Sequence, residues 1–123
     1  MKLTNRQLLN AVPAFNHLNS MKLPVKASYR VAKAARKVDD VLKDYRKTLG
    51  SLQEKHAEKG VNDKVKTDDN HIVFKDAEAF SADFEELLKL ENDVVIDKIS
   101  IADFGSAEVE PSFLYHLDWF IED

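Results

Sequence analysis

The chain has 123 residues, and because it contains no cysteine, disulfides, thiolate zinc sites and cysteine nucleophiles are excluded. Its formal net charge of −4 hides a sorted layout: residues 1–60 hold 13 Lys and Arg against 5 Asp and Glu, whereas residues 61–123 hold 5 against 17. The length and the small number of glycines and prolines predict a single domain over residues 1–123.

The first predicted element is a helix over residues 5–19, preceded by a short strand or lead-in at residues 1–3. Thr4 and Gln7 have the spacing of a capping box, in which each side chain accepts a hydrogen bond from the other residue's backbone N–H. Pro13 lies inside this stretch and lacks the N–H that would bond the carbonyl of Leu9, so we expect it to kink or split the helix.

A sustained repeat of mostly apolar residues predicts one long helix over residues 24–58, with Pro24 at its start. At a rise of 1.5 Å per residue such a helix is roughly 50 Å long, which exceeds the diameter of a compact domain of this size. We therefore expect part of it to project from the domain or to pack on a second copy. The repeat comprises Ser28, Val31, Ala35, Val38, Leu42, Tyr45, Leu49, Leu52 and His56.

The pattern of residues in the second half of the chain predicts two more helices, and it predicts strands that form a small sheet with residues 1–3. A polar segment over 59–71 is followed by a strand near 72–74, which we expect to form a hairpin with Val61–Lys66. Asp76 is placed to cap a helix over 77–91, residues 94–101 alternate as a strand does, and Pro111 opens a final helix over 111–121. The predicted fold is α+β, mainly α: one long helix packed by three shorter helices, with a two- or three-stranded sheet from residues near 1–3, 72–74 and 94–101.

A basic stripe is the first candidate interaction surface. Four cations at spacings of four, three and four residues share one side of the long helix, and two more extend the stripe. The stripe either binds an anionic partner, such as a phosphate backbone, or forms a solvated face that complements the acidic segments of the same chain. Its members are Lys22, Lys26, Arg30, Lys33, Arg36 and Lys37.

Acidic residues of the second half form the opposite candidate surface. They either compete with nucleic acid for a basic groove or make up the ordinary charged outer face of the helix over 77–91. On the final helix Tyr115 and Trp119 lie four residues apart and off the main apolar face, which is typical both of interface anchors and of a helix packed between two layers. The acidic surface comprises Glu78, Asp83, Glu85, Glu86, Glu91 and Asp93.

Catalytic signatures are absent from the sequence. There is no HExxH pair, no GxSxG elbow and no glycine-rich phosphate loop, and the chain has only three glycines. We therefore predict a protein that is not an enzyme and that has no catalytic residue, no metal site and no cofactor. Since no apolar run approaches the roughly 18 residues needed to cross a bilayer, we expect no membrane partner.

Four segments of the chain carry a resemblance: MKLTNRQLLNAVPAFNHL, MKLPVKASYRVAKAARKVDDVLKDYRKTL, FKD and LDWFIED. They resemble small uncharacterised proteins of tailed phages and prophages of Gram-positive bacteria. The resemblance implies a virus-encoded protein in the cytoplasm of the host cell and carries over no functional residue.

Three functions follow as hypotheses. The first is a non-enzymatic interaction protein that binds a host or viral protein, specifically an inhibitor of a host defence nuclease of the anti-CRISPR type. The second is a virion structural or assembly protein that forms homo-oligomers through the long helix. The third is a nucleic-acid-binding protein that uses the basic stripe of residues 26–37.

Overall fold

The computed structural model of the protein describes residues 1–60, 67–68 and 71–122. These residues form one long helix, three shorter helices and three separate two-stranded sheets, which confirms the predicted mainly α member of the α+β class. The predicted hairpin strand Val61–Lys66 lies outside the described residues. In chain order the elements are β1 (Lys2–Thr4), α1 (Asn5–Asn19), α2 (Val25–His56), β2 (Thr67–Asp68), β3 (His71–Ile72), α3 (Ala77–Lys89), β4 (Glu91–Asp93), β5 (Ile99–Ser100), a 3-10 helix (Ile101–Phe104), α4 (Pro111–His116) and β6 (Ile121–Glu122).

Helix α1 has the predicted bounds and the predicted cap. The Gln7 N–H donates to Thr4 Oγ1 over 3.1 Å, and the Thr4 N–H donates to Gln7 Oε1 over 2.8 Å. Pro13 lies within the continuous helix, so of the two outcomes expected, a kink or a split, the split does not occur. Its ring faces solvent, while the opposite face of α1 is held in the core by Leu8, Phe15 and Leu18.

Helix α2 buries four of the nine residues of the predicted repeat inside the chain itself, and four more are partly buried. Val31, Val38, Leu42 and Tyr45 are buried, whereas Ser28 is exposed and the neighbouring Ala27 takes its place in the core. The helix packs against both α1 and α3. These two helices therefore cover the buried part of the repeat within one chain, and packing on a second copy stays a prediction.

The N-terminal cap of α3 is as predicted, but the residue at which the helix ends is not. The carboxylate of Asp76 accepts hydrogen bonds from the N–H groups of Glu78 and Ala79 over 3.1 and 3.2 Å. The helix ends at Lys89 rather than at residue 91, because Glu91–Asp93 pairs antiparallel with β1.

The predicted sheet is wrong in its composition, since the three segments assigned to it lie in different sheets. Strand β1 pairs with β4, β2 pairs with β3, and β5 pairs parallel with β6. Of the predicted strand over 94–101, only residues 99–100 are in a strand. The carbonyl groups of Val95 and Lys98 instead accept hydrogen bonds from side chains of α2, which replace the ladder that a neighbouring strand would provide.

The predicted helix over 111–121 is also too long. Helix α4 ends at His116, after which the chain turns so that residues 121–122 pair with β5. The Ile99 N–H donates to the carbonyl of Phe120 over 3.0 Å, and both side chains are fully buried. The last segment is therefore fixed by a partner more than 20 residues earlier and not by its own apolar spacing.

Asn5 is the buried polar residue of the core in the part of the chain that the structure describes, with 4% of its surface exposed. Its Nδ2 donates to the carbonyl of Leu87 over 2.8 Å, and its Oδ1 accepts from Asn92 Nδ2 over 2.9 Å. The backbone N–H of Asn5 donates to the carbonyl of Leu90 over 3.0 Å. One side chain thus joins the start of α1 to the end of α3 and to β4.

Candidate functional site

The first two cations of the basic stripe on α2 contact the end of the segment over 95–103. Lys26 Nζ lies 3.5 Å from Asp103 Oδ1, and an Arg30 guanidinium nitrogen lies 3.9 Å from Asp103 Oδ2. The same Arg30 nitrogen donates to the carbonyl of Lys98 over 2.8 Å. Both cations are therefore engaged within the chain.

The next two members of the stripe repeat this arrangement one and two turns further along α2. Lys33 Nζ lies 3.7 Å from Asp97 Oδ2, and Lys37 Nζ donates to the carbonyl of Val95. The four central cations thus bind the segment over 95–103, as expected for a basic face that complements acidic segments of the same chain.

Asp103 is the best-held carboxylate of this contact, with 15% of its side chain exposed. The hydrogen bond from the Ser100 backbone N–H, 3.1 Å from Asp103 Oδ2, is the main cause that holds the pKa of this carboxyl below its ordinary value. Partial burial opposes this effect, while the Ser100 side chain and the charge of Lys26 add to it. The anionic form that pairs with the stripe is therefore favoured.

Two members of the stripe lie apart from this contact. Lys22 and Arg36 are exposed, and neither forms an ion pair with any residue in the described ranges. Lys22 precedes the first turn of α2, and Arg36 lies on α2 next to Lys37, which binds the segment over 95–103. The unpaired positive charge is thus reduced from a continuous stripe to two separate side chains.

Half of the acidic surface is also paired within the chain. Asp83 Oδ2 lies 2.7 Å from His56 Nε2 and 3.8 Å from Lys55 Nζ, so this carboxylate faces α2 rather than solvent. Glu85 pairs with Arg6 of α1 over 2.6 Å. Asp93 lies 3.8 Å from the N-terminal amine.

The other half of the acidic surface is free of such pairs. Glu78, Glu86 and Glu91 are exposed and form no ion pair with the residues described. Helical spacing places Glu78 and Glu86 on the outer side of α3, opposite the buried pair Leu87 and Leu88, and Glu91 follows at the start of β4. We call these three residues the acidic face.

The aromatic pair predicted on one helix is divided between two elements. Tyr115 is on α4 and 77% exposed, whereas Trp119 lies beyond the end of α4 and is half-buried. The Trp119 ring packs 6.0 Å from Phe15 and 6.1 Å from Phe120, centroid to centroid. Trp119 therefore belongs to the edge of the core, and Tyr115 alone is exposed as an anchor would be.

A furrow between α1 and α4 is the feature that the sequence analysis missed. It has a volume of about 490 Å³ and contains both predicted aromatic residues. The indole N–H of Trp119 is buried and has no hydrogen-bond partner among the described residues, which costs on the order of 1–3 kcal/mol. The sequence had singled out its aromatic side, Tyr115 and Trp119, but not its polar side, Gln7 and Asn10 on α1. Its lining residues are Gln7, Asn10, Tyr115, His116, Asp118 and Trp119.

Within the described ranges, no three His, Asp or Glu side chains are grouped so that they could hold a metal ion. None of the helices described has both the length and the apolar character needed to cross a membrane. Neither a protein-family model, nor a curated protein, nor a solved structure matches this chain.

Proposed function

We propose that this chain is a non-enzymatic binding protein of phage or prophage origin that docks its acidic face on a basic surface of another protein. The observation that supports the proposal is the difference between the two candidate surfaces. The central cations of the basic stripe are engaged with the segment over 95–103, whereas Glu78, Glu86 and Glu91 form no ion pair in the part of the chain described.

Free carboxylates suit such a role because docking breaks no internal pair. Complementary potentials steer the encounter of two proteins and raise its rate, most strongly at low ionic strength. A protein groove that holds a nucleic acid is lined by Lys and Arg, and carboxylates that occupy it take the place of phosphates. The specific form of the proposal is an inhibitor of a host defence nuclease of the anti-CRISPR type.

The same contacts disfavour the two other functions that the sequence suggested. Binding of nucleic acid through residues 26–37 requires the four central cations to leave their partners in the segment over 95–103. Assembly through the long helix requires exposure of Val31, Val38 and Leu42, which pack inside this chain. Neither surface is free in the way that the acidic face is.

The test is a cleavage assay with a guide-loaded RNA-guided nuclease from a Gram-positive bacterium and a matching DNA duplex. Purified protein should reduce cleavage, and the effect should weaken as salt is raised. The triple variant Glu78→Lys, Glu86→Lys, Glu91→Lys should lose the inhibition. A matched control, Asp44→Lys, Glu108→Lys, Glu110→Lys, makes the same change in net charge at exposed positions without ion pairs among the described residues.

Two results would count against the proposal. If the control triple loses as much inhibition as the acidic-face triple, net charge acts and the face does not. If the unmodified protein neither slows cleavage nor co-elutes with the nuclease in gel filtration, docking on this class of partner is refuted.

A further inference from the structure

The furrow between α1 and α4 continues beyond the region that contains Tyr115. A second concavity of about 340 Å³ shares Asn10 and His116 with the first, so the two form one continuous depression along the helix pair. Its far end is apolar, where Leu9, Pro13 and Phe113 form the lining. The near end is polar and aromatic.

The near end has unused hydrogen-bonding capacity. Gln7 uses only its Oε1 in the cap of α1, which leaves its amide NH₂ group without a partner in the described part of the chain. Asn10 and Asp118 likewise have no side-chain partner among the described residues. The amide oxygen of Asn10 and the carboxylate of Asp118 therefore border the same space as the exposed ring of Tyr115.

The ring of Tyr115 is largely exposed. Tyr115 is 77% exposed, and the neighbouring His116 ring meets it edge-on, with 5.2 Å between centroids and 73° between planes. With 77% of its surface exposed, most of the Tyr115 ring remains accessible to a partner despite this contact. An exposed Tyr face with a carboxylate nearby attracts a planar cation by its quadrupole and by charge together.

The charge around the furrow has one sign. Residues 99–123 include six Asp and Glu and no Lys or Arg. Arg6 is the cation of α1 nearest to the furrow in sequence, and it is paired with Glu85 over 2.6 Å. No cation of the described residues lines the furrow, so a positive group there must come from a partner.

We propose that the furrow binds an arginine side chain of a partner protein. The guanidinium stacks on the face of Tyr115, pairs with the Asp118 carboxylate and donates to the Asn10 side chain. Arginine fits better than lysine because its planar fork both stacks and donates in several directions, whereas an ammonium group is a compact and strongly hydrated point charge. This site shares no residue with the acidic face, so it does not depend on the function proposed for that face.

The test is a titration of the ¹⁵N-labelled protein with capped tripeptides Gly-Arg-Gly, Gly-Lys-Gly and Gly-citrulline-Gly at low ionic strength. Up to about 10 mM, the range of a weak single-residue contact, the arginine peptide should shift the side-chain amide signals of Gln7 and Asn10. It should also shift the indole signal of Trp119, the single tryptophan of the chain. The lysine and citrulline peptides should bind at least about threefold more weakly.

Two surface variants separate the site from a general effect of charge. Tyr115→Ala and Asp118→Asn should each weaken binding of the arginine peptide by about three- to tenfold. The matched controls Tyr29→Ala and Asp44→Asn alter an exposed tyrosine and an exposed aspartate of α2, and they should leave the affinity unchanged. Unaltered melting temperatures of all four variants would show that the fold is retained.

The proposal is overturned if the arginine peptide shifts none of these signals, or if Asp118→Asn binds as the unmodified protein does. Equal shifts with the uncharged citrulline peptide would also overturn it, because they would indicate a site for neutral polar ligands. None of these outcomes bears on nuclease inhibition, which is measured separately with the acidic-face variants.

Discussion

Replacement of Asn5 by alanine should lower the free energy of unfolding by about 2 kcal/mol. The side chain is 4% exposed at the junction of α1, α3 and β4. It donates to the carbonyl of Leu87 and accepts from Asn92, over 2.8 and 2.9 Å. Alanine makes neither bond, so the substitution removes the side-chain links from the start of α1 to α3 and β4, whereas the backbone bond from Asn5 to Leu90 remains.

The estimate of about 2 kcal/mol depends on which hydrogen bonds the partners of Asn5 keep in the variant. Two lost hydrogen bonds at about 1 kcal/mol each give about 2 kcal/mol, and a fully orphaned buried group would add about 1–3 kcal/mol. Here the Leu87 carbonyl still accepts from the Leu90 N–H over 3.3 Å, and Asn92 Nδ2 still donates to the Leu3 carbonyl over 3.2 Å. Neither partner is orphaned, and the higher helix propensity of alanine offsets only a few tenths of a kcal/mol at the first turn.

Thermal and urea unfolding measure this change directly. A loss of about 2 kcal/mol corresponds to a melting temperature lower by about 6–10 °C in a domain of this size. Asn10→Ala is the matched control, because Asn10 is on the same helix but is exposed and has no partner among the described residues. It should change stability by no more than about 0.5 kcal/mol. Equal midpoints for the two variants would refute the role assigned to the Asn5 network.

Three further substitutions test other contacts. Because the folded-state pKa of Asp103 lies below the ordinary 3.8, its carboxylate stabilises the fold above that pH, and this stability is lost as pH falls through the depressed value. Asp103→Asn should therefore be less stable than the parent in urea at about pH 7, with a gap that narrows as the pH falls below 3.8; a gap that stays constant as the pH is lowered below 3.8 contradicts this. Gly105→Ala should cost about 1–3 kcal/mol in thermal unfolding, because the backbone φ is +63° and a Cβ would lie 3.1 Å from Pro24 Cγ; an unchanged melting temperature contradicts it. Leu42→Ala should cost about 2–5 kcal/mol in urea, since Leu42 is 1% exposed in the core; a cost below about 1 kcal/mol would show that the site collapses around the smaller side chain.

Elements with local causes were predicted from the sequence to within two residues. The Thr4–Gln7 cap and the Asp76 cap each involve residues at most three apart, so the starts of α1 and α3 can be predicted without knowledge of the rest of the chain. The repeat on α2 likewise depends on helical spacing alone. Each of these signals is complete within a short stretch of sequence.

Elements with distant causes were predicted wrongly. The alternation over 94–101 is typical of a strand, but Val95 and Lys98 find their hydrogen-bond donors on side chains of α2. Apolar spacing over 111–121 is typical of a helix, but the Ile99 N–H binds the carbonyl of Phe120, and the chain leaves the helix to reach it. Local pattern does not specify such partners, which lie more than 20 residues away.

The candidate surfaces show the same difference between what local sequence predicts and what depends on distant contacts. The sequence identifies which side chains are charged, but not that Lys33 meets Asp97 or that Glu86 meets no cation in the described ranges. The furrow was missed because Gln7 and Asn10 border it from α1, more than 100 residues before Tyr115. Charge composition thus predicts the kind of partner, and only the fold distinguishes paired charges from available ones.

The pairing of the basic stripe with the segment over 95–103 affects the charge of the surface that the protein presents to a partner. Exposed ion pairs such as that of Lys33 and Asp97 contribute at most about 1 kcal/mol each, so their main effect is to remove positive charge from the accessible surface. The two sites that we propose, the acidic face on α3 and β4 and the furrow beside α4, would both favour a cationic partner. Helix α1 contacts both α3 and α4, so one basic protein long enough to reach both would bind two weak sites on a single scaffold. Since the second contact is then intramolecular, loss of either site should reduce the affinity for such a partner by a factor set by the ratio of the effective concentration at that site to its own dissociation constant.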